Sequence, residues 1–173
     1  DAVAHAVESY VCTKANAVSR MYAREAFRLL DDSLAAFVEG KPEALPGDVL
    51  LGAHFAGMAI EASMLGAAHG CANPLTAEYG MTHGIAVALM LPSVVRFNLQ
   101  GDRYLYDGLS RHDDLESRLR LLRSSLHLPE RLSDLKVNTS ELPKLAEAAA
   151  QEWTATFNPR QIDAEAAREL YEA

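Results

Sequence analysis

Asp1 and His5 lie four residues apart, so on a helix their side chains project from one side, a turn from each other, where they could share a metal ion. His69 stands in Gly66-Ala67-Ala68-His69-Gly70, whose glycines let another backbone or a ligand come close. His83 follows a loop, in Thr82-His83-Gly84. A helix–loop–helix would bring residues 69 and 83 together. Each piece alone also has a plainer reading, an N-cap aspartate beside an ordinary histidine or a hydrogen-bonded core imidazole. Taken together, one carboxylate and three imidazoles form a hard-to-borderline donor set, suited to Fe2+ or Zn2+ rather than to Ca2+ or Mg2+. With water or substrate completing its shell, such an ion acts as a Lewis acid. No His-Glu-x-x-His or Glu-x-x-His is present to suggest another metal template. Of the remaining histidines, His54 reads as a hydrogen-bonded core or pocket residue, and His112 and His127 as surface residues.

The elements that must position these side chains read as helices almost throughout. Ala2 to about Lys14 carries apolar residues at helical spacing, with Asp1 in the N-cap place. Ser19 to Val38 is amphipathic, with Ala23, Phe27, Leu30, Leu34 and Phe37 on one face. After a Pro/Gly loop (Lys41 to Gly47), Asp48 is expected to cap a long helix running to about Ala72, apolar on nearly all sides and therefore central. Asn73-Pro74 is expected to end it, because proline disfavours the α region at the residue before. A loop over Thr76 to Thr82 leads to an apolar helix from His83 to about Phe97, with Pro92 as a kink. Asp113 to Leu126, Ser140 to Trp153 and a last helix capped by Asp163 complete the chain, and Arg118, Arg120 and Arg123 are expected on a solvated face. No stretch alternates with period two, which makes the fold class all-α, a single helical domain over residues 1–173.

Sixteen Lys and Arg against 24 Asp and Glu leave a net charge of −8, which argues against nucleic acid and anionic membrane surfaces as partners. The stretch Leu50 to Ala72 is interrupted by His54, Glu61 and His69 and reads as a core helix rather than a membrane span. Two cysteines, Cys12 and Cys71, make no disulfide framework. With no secretory signal visible, the expectation is a cytoplasmic protein.

Three pieces of sequence carry a family resemblance. The first is Asp1-Ala2-Val3-Ala4-His5-Ala6-Val7-Glu8-Ser9-Tyr10. The second is Gly57-Met58-Ala59 followed by Leu65-Gly66-Ala67-Ala68-His69. The third is Asn73-Pro74-Leu75, then His83-Gly84, Leu91-Pro92 and Arg96-Phe97-Asn98, with fainter support from Asn158-Pro159-Arg160. In this order they resemble the iron-containing (group III) alcohol dehydrogenases, specifically the C-terminal helical domain of that dehydroquinate synthase-like fold. The resemblance implies a multi-helix bundle with Asp1, His5, His69 and His83 as metal ligands. It also implies reversible hydride transfer between a small alcohol and NAD or NADP, with Fe2+ (or Zn2+) holding the substrate oxygen. Many members carry a further histidine four residues after the third ligand, near the nicotinamide. This chain has Asn73 there, an amide that can orient a ribose hydroxyl or water but cannot titrate near neutral pH.

The resemblance further implies an N-terminal nucleotide-binding domain, yet no Gly-x-Gly-x-x-Gly or Gly-Gly-Gly-Ser occurs. The expectation is a fragment or a truncated product that needs that domain as partner and does not turn over alone. The other reading is a stand-alone helical module that binds metal or oligomerises without redox activity. Either way, a surface that normally packs on a missing partner predicts self-association.

Overall fold

The computed structural model describes residues 1–112 and 114–173, and among them there are eight α-helices and no strand. They are α1 (Ala2–Val11), α2 (Ala17–Val38), α3 (Pro46–Glu61), α4 (Ala67–Tyr79), α5 (His83–Leu99), α6 (Leu115–Ser125), α7 (Leu142–Gln151) and α8 (Ala164–Glu172). The all-α expectation holds. No helix is long and apolar enough to cross a membrane among the described residues.

Helix α1 is short but central. Ala4, Ala6, Val7, Tyr10 and Val11 are all buried, and the helix packs against α2, α3 and α5. Helix α2 starts with a reciprocal capping box: Asn16 Oδ1 accepts from the Val18 and Ser19 N–H groups while Ser19 Oγ accepts from Asn16 N–H. Helices α2 and α3 form a hairpin, and α4, α5, α7 and α8 pack into a second group that meets α1 through α5.

Several expected boundaries move. The long central helix is two helices, broken at residues 62–66 and not at Asn73-Pro74; α4 runs through Pro74 to Tyr79, where Gly80 caps it in the left-handed conformation (φ 60°). Pro74 forgoes only the hydrogen bond to the Gly70 carbonyl, and burial of Ala67 to Ala72 and Leu75 outweighs that local cost. Asp48 lies inside the first turn of α3, which begins at Pro46 with Leu45 at the N-cap. The expected helix start at Asp113 falls outside the described residues; Asp114 is the N-cap of α6 and accepts from Ser117 N–H.

Helix α3 is peripheral, not central. Its small residues Gly52, Ala56 and Ala59 are buried, and a Cβ at Gly52 would lie 2.9 Å from Leu30 Cγ, so α3 sits tightly on α2 through its small side. Leu50, Leu51 and Met58 point outward, and so does His54, which is exposed rather than a core or pocket residue. The arginines of α6 depart from expectation too. Arg123 is buried, and Arg118 donates to the buried Asp31 carboxylate at 2.6 Å, a carboxylate that His112 also engages at 2.9 Å.

Candidate metal centre

Asp1 occupies the N-cap position of α1, but its side chain makes no capping hydrogen bond. Its carboxylate turns instead toward three imidazoles. Asp1 Oδ1 lies 3.2 Å from His5 Nε2, 3.3 Å from His69 Nε2 and 3.8 Å from His83 Nε2. The structure thus brings the three histidines expected from the sequence, carried by α1, α4 and α5, around the Asp1 carboxylate. The rings confirm the clustering, with His69 5.1 Å from His5 and 5.3 Å from His83 between centroids. The ligand atoms of Asp1, His69 and His83 all lie within 4.8 Å of one another; His5, stacked on His69, stands outside that mutually close set.

Local sequence explains the convergence. The i, i+4 spacing of α1 puts His5 directly over Asp1. The αL turn at Gly80 and the two residues after it reverse the chain so that His83, the first residue of α5, returns to face α4. Gly84 lies against Asp1, where an added Cβ would be in ordinary contact at 3.6 Å from Asp1 Cβ.

The start of α4 is held from outside the helix. Its first N–H groups have no intrahelical partner, and Gly66 at the N-cap offers no side chain. Glu8 Oε1 accepts from Ala68 N–H at 2.6 Å, and Asn158 Oδ1 accepts from Ala67 N–H at 3.3 Å. Gly66 suits this close approach, because a Cβ there would lie 3.1 Å from both of those side-chain oxygens, which would have to shift to admit it. Asn158 is fixed in turn by reciprocal amide bonds with Asn98, and the Arg160 guanidinium lies 3.6 Å over the Phe97 ring while donating to the Phe97 carbonyl. The Arg96-Phe97-Asn98 and Asn158-Pro159-Arg160 segments therefore share one task, anchoring the helix that carries His69.

Glu8 is the residue whose role the sequence reading did not assign. It is buried, and its Oε2 lies 2.5 Å from His69 Nδ1. A carboxylate so placed accepts the Nδ1–H and leaves Nε2 as the lone-pair nitrogen. That Nε2 is fully buried and has no hydrogen-bond partner. A buried imidazole nitrogen without a partner, aimed at a carboxylate and a second imidazole, has the chemistry of a metal ligand. The signal for Glu8 was present, since Asp1, His5 and Glu8 recur at i, i+4 and i+7 in an otherwise apolar segment.

Electrostatics favour the neutral, ligating form of the flanking rings. Burial, and then the neighbouring His69, push His5 down to about 4, and the same two causes lower His83. Access comes from one side: His69 is buried, His5 and His83 are half-buried, and Asp1 is exposed.

Asn73 lies one turn beyond His69 on α4. It does not end the helix, and its Nδ2 donates to Glu152 Oε2 at 2.8 Å.

The chain matches the family model described as the Fe-containing alcohol dehydrogenase family, C-terminal, over residues 1–173. It is similar to alcohol dehydrogenase 4 of Saccharomyces cerevisiae, 32% identical over 176 residues that cover 95% of this chain and 46% of that protein. It is also similar to lactaldehyde reductase of Escherichia coli, 31% identical over 185 residues that cover 99% of this chain and 48% of that protein. A solved structure of a 1,3-propanediol oxidoreductase superposes with a TM-score of 0.89 at 28% identity, covering 99% of this chain and 49% of that one. The chain spans just under half the length of the relatives it matches.

Proposed function

We propose, from the premise that this chain belongs to the iron-containing alcohol dehydrogenase family and carries its C-terminal helical domain, that it is the metal- and substrate-holding half of an NAD(P)-dependent alcohol dehydrogenase. The observation that carries the reading is the orphaned, buried Nε2 of His69, directed at Asp1 beside His83.

Asp1, His5, His69 and His83 would hold a divalent cation, Fe2+ or, as the less favoured choice, Zn2+. When bound, the cation supplies Lewis-acid polarisation of an alcohol or carbonyl oxygen. The side chains of this domain do the rest of the preparation. Glu8 accepts a hydrogen bond from the Nδ1–H of His69 and holds the ring's orientation, so that the lone pair is set before any ligand arrives. The low proton affinity of His5 keeps it unprotonated at neutral pH without any metal to compete for it. The exposed edge formed by Asp1 and His83 is where a small alcohol or aldehyde and the nucleotide-binding half would meet the site.

Asn73 is proposed to face the nucleotide side, offering an amide to a ribose hydroxyl or a water. An amide does not titrate near neutral pH, so a proton leaving the substrate must travel by another route. The nicotinamide itself would be held by the partner half, which also decides between NAD and NADP. Hydride transfer requires the ring held against the substrate carbon, and this half alone is expected to be inactive.

The test is metal analysis of the purified chain against a His69→Ala/His83→Ala variant. Wild type should carry a divalent ion that the variant lacks; equal content in both would overturn the site. Alcohol-dependent reduction of NAD(P)+ by the protein extended with its nucleotide-binding half should vanish in the same variant.

A further inference from the structure

Away from the histidines, Arg123 is a second charged group whose burial has no explanation within the chain. It lies on α6 with 6% of its surface exposed. A guanidinium has five N–H donors and cannot shed its charge. Among the described residues this one meets a single acceptor, the Leu89 carbonyl at 3.2 Å from Nη1, and its Nε is buried with no partner. No carboxylate of the described residues lies within ion-pair distance, 4.0 Å, of it. A buried cation left unpaired is among the more costly features a fold can keep.

Arg123 lines a cavity of about 410 Å³ between α5, α6, the 130–139 segment and α8. That volume is in the range of small-molecule sites. Ser93, Ser133 and Thr139 add hydroxyls to its wall, and Leu89, Met90 and Leu170 give it an apolar side. Of the other charged side chains on the wall, two are matched within the chain and two are not. Arg120 donates to Glu116 at 2.9 Å, and Glu172 accepts from Arg168 at 2.7 Å, while Arg131 and Glu130 face the cavity without an ion-pair partner.

From the unpaired guanidinium and the cavity it borders, we infer that Arg123 anchors a binding site for a compact oxyanion, a phosphate or a carboxylate on a small organic body. Beyond the Nη1–H given to the Leu89 carbonyl, the guanidinium keeps N–H donors in the planar fork that matches two oxygens of such a group. The serine and threonine hydroxyls bind remaining oxygens, and the leucine and methionine side chains cover the apolar part. The cavity shares α5 with His83 but is lined by none of the four candidate metal ligands, and the inference stands whether or not those residues hold metal.

The experiment titrates inorganic phosphate and, separately, succinate into the metal-free chain at constant ionic strength balanced with chloride. It is followed by calorimetry and by the Arg Nε–H resonances. One or both probes should bind saturably and displace the Arg123 signal. Preference for phosphate marks a phosphoryl ligand, and preference for succinate a carboxylate. Arg123→Met should weaken binding roughly 10- to 100-fold and Arg123→Lys by less, whereas Arg28→Met on α2 should leave it unchanged. Should Arg123→Met fail to fold, the Nε–H displacement in wild type decides. Absence of saturable binding by either anion, binding that is indifferent to Arg123, or an unmoved Arg123 resonance overturns the proposal.

Discussion

Glu8 and His69 meet across the α1–α4 contact, carboxylate oxygen to Nδ1 at 2.5 Å, while the second oxygen of the same carboxylate accepts the Ala68 N–H at 2.6 Å. One buried side chain thus caps a helix and orients the His69 ring on it. A negative group at the helix start is also favoured by the helix dipole.

Replacing Glu8 by Gln separates these tasks. The amide oxygen can still accept from Ala68, but the charge that holds His69 is gone. Metal affinity should fall about 10- to 100-fold, measured by competition with a chromophoric chelator, with little change in thermal stability. Glu8→Ala should in addition destabilise the fold by about 1–3 kcal/mol, since Ala68 N–H is left unsatisfied. Unchanged metal affinity in Glu8→Gln would mean that His69 is oriented by packing alone.

The grouping of the four candidate ligands was legible from local sequence: Asp1 and His5 by helical spacing, His69 and His83 by their glycine neighbours on the two helices that flank a short reversal. The all-α class followed from the same periodicity. What misled was local proline chemistry set against tertiary burial: Pro74 lies inside α4 because the surrounding residues are packed too well to break there. The all-round apolarity of α3 pointed to a central helix, whereas its small residues sit against α2 and its large ones face out. Spacing puts Glu8 on the face of α1 that carries Asp1 and His5, but its contact with His69, like that of Arg123 with Leu89, joins residues about 60 and 34 positions apart that local sequence does not pair.

Gly70 and Ala155 form the tightest of the glycine contacts. A Cβ at residue 70 would lie 2.7 Å from Ala155 Cβ, beside His69. Gly70→Ala should cost about 1–3 kcal/mol in urea unfolding, typical of overpacking a filled core. Adding Ala155→Gly should recover part of that loss, because the nearest remaining atoms are the Ala155 backbone at 3.3 Å or more. Full additivity of the two substitutions would contradict direct contact.

Cys71 is fully buried in the same helix, and burial, followed by the nearby Glu8, pushes its thiol up to about 12. The unfolded chain loses that proton near its ordinary value of 9.0, while the folded chain keeps it. The unfolded state therefore binds fewer protons, and stability falls as pH rises from about 9 to about 12, by at most ~1.4 kcal/mol per pH unit. Urea unfolding at stepped alkaline pH should show this decline, and Cys71→Ala should flatten it. A slope identical in the variant would assign the decline to other groups, Tyr171 and Tyr106 among them, whose hydroxyls burial also raises.

The outer side of the α2–α3 hairpin presents apolar side chains that the domain itself does not cover. Leu50 is 75% exposed, and Val38, Leu45 and Met21 are each more than half exposed. Isolated exposed leucines are ordinary, but several on one helical hairpin form a surface that water solvates poorly. Association rising with concentration is the expected behaviour of this chain in sedimentation velocity. Val38→Glu with Leu50→Lys should shift it toward monomer without altering the helical circular dichroism, as both side chains lie outside the core. Monomeric behaviour of the wild type at every concentration would show that this face is tolerated in water. Association that survives the double substitution would move the contact to another surface.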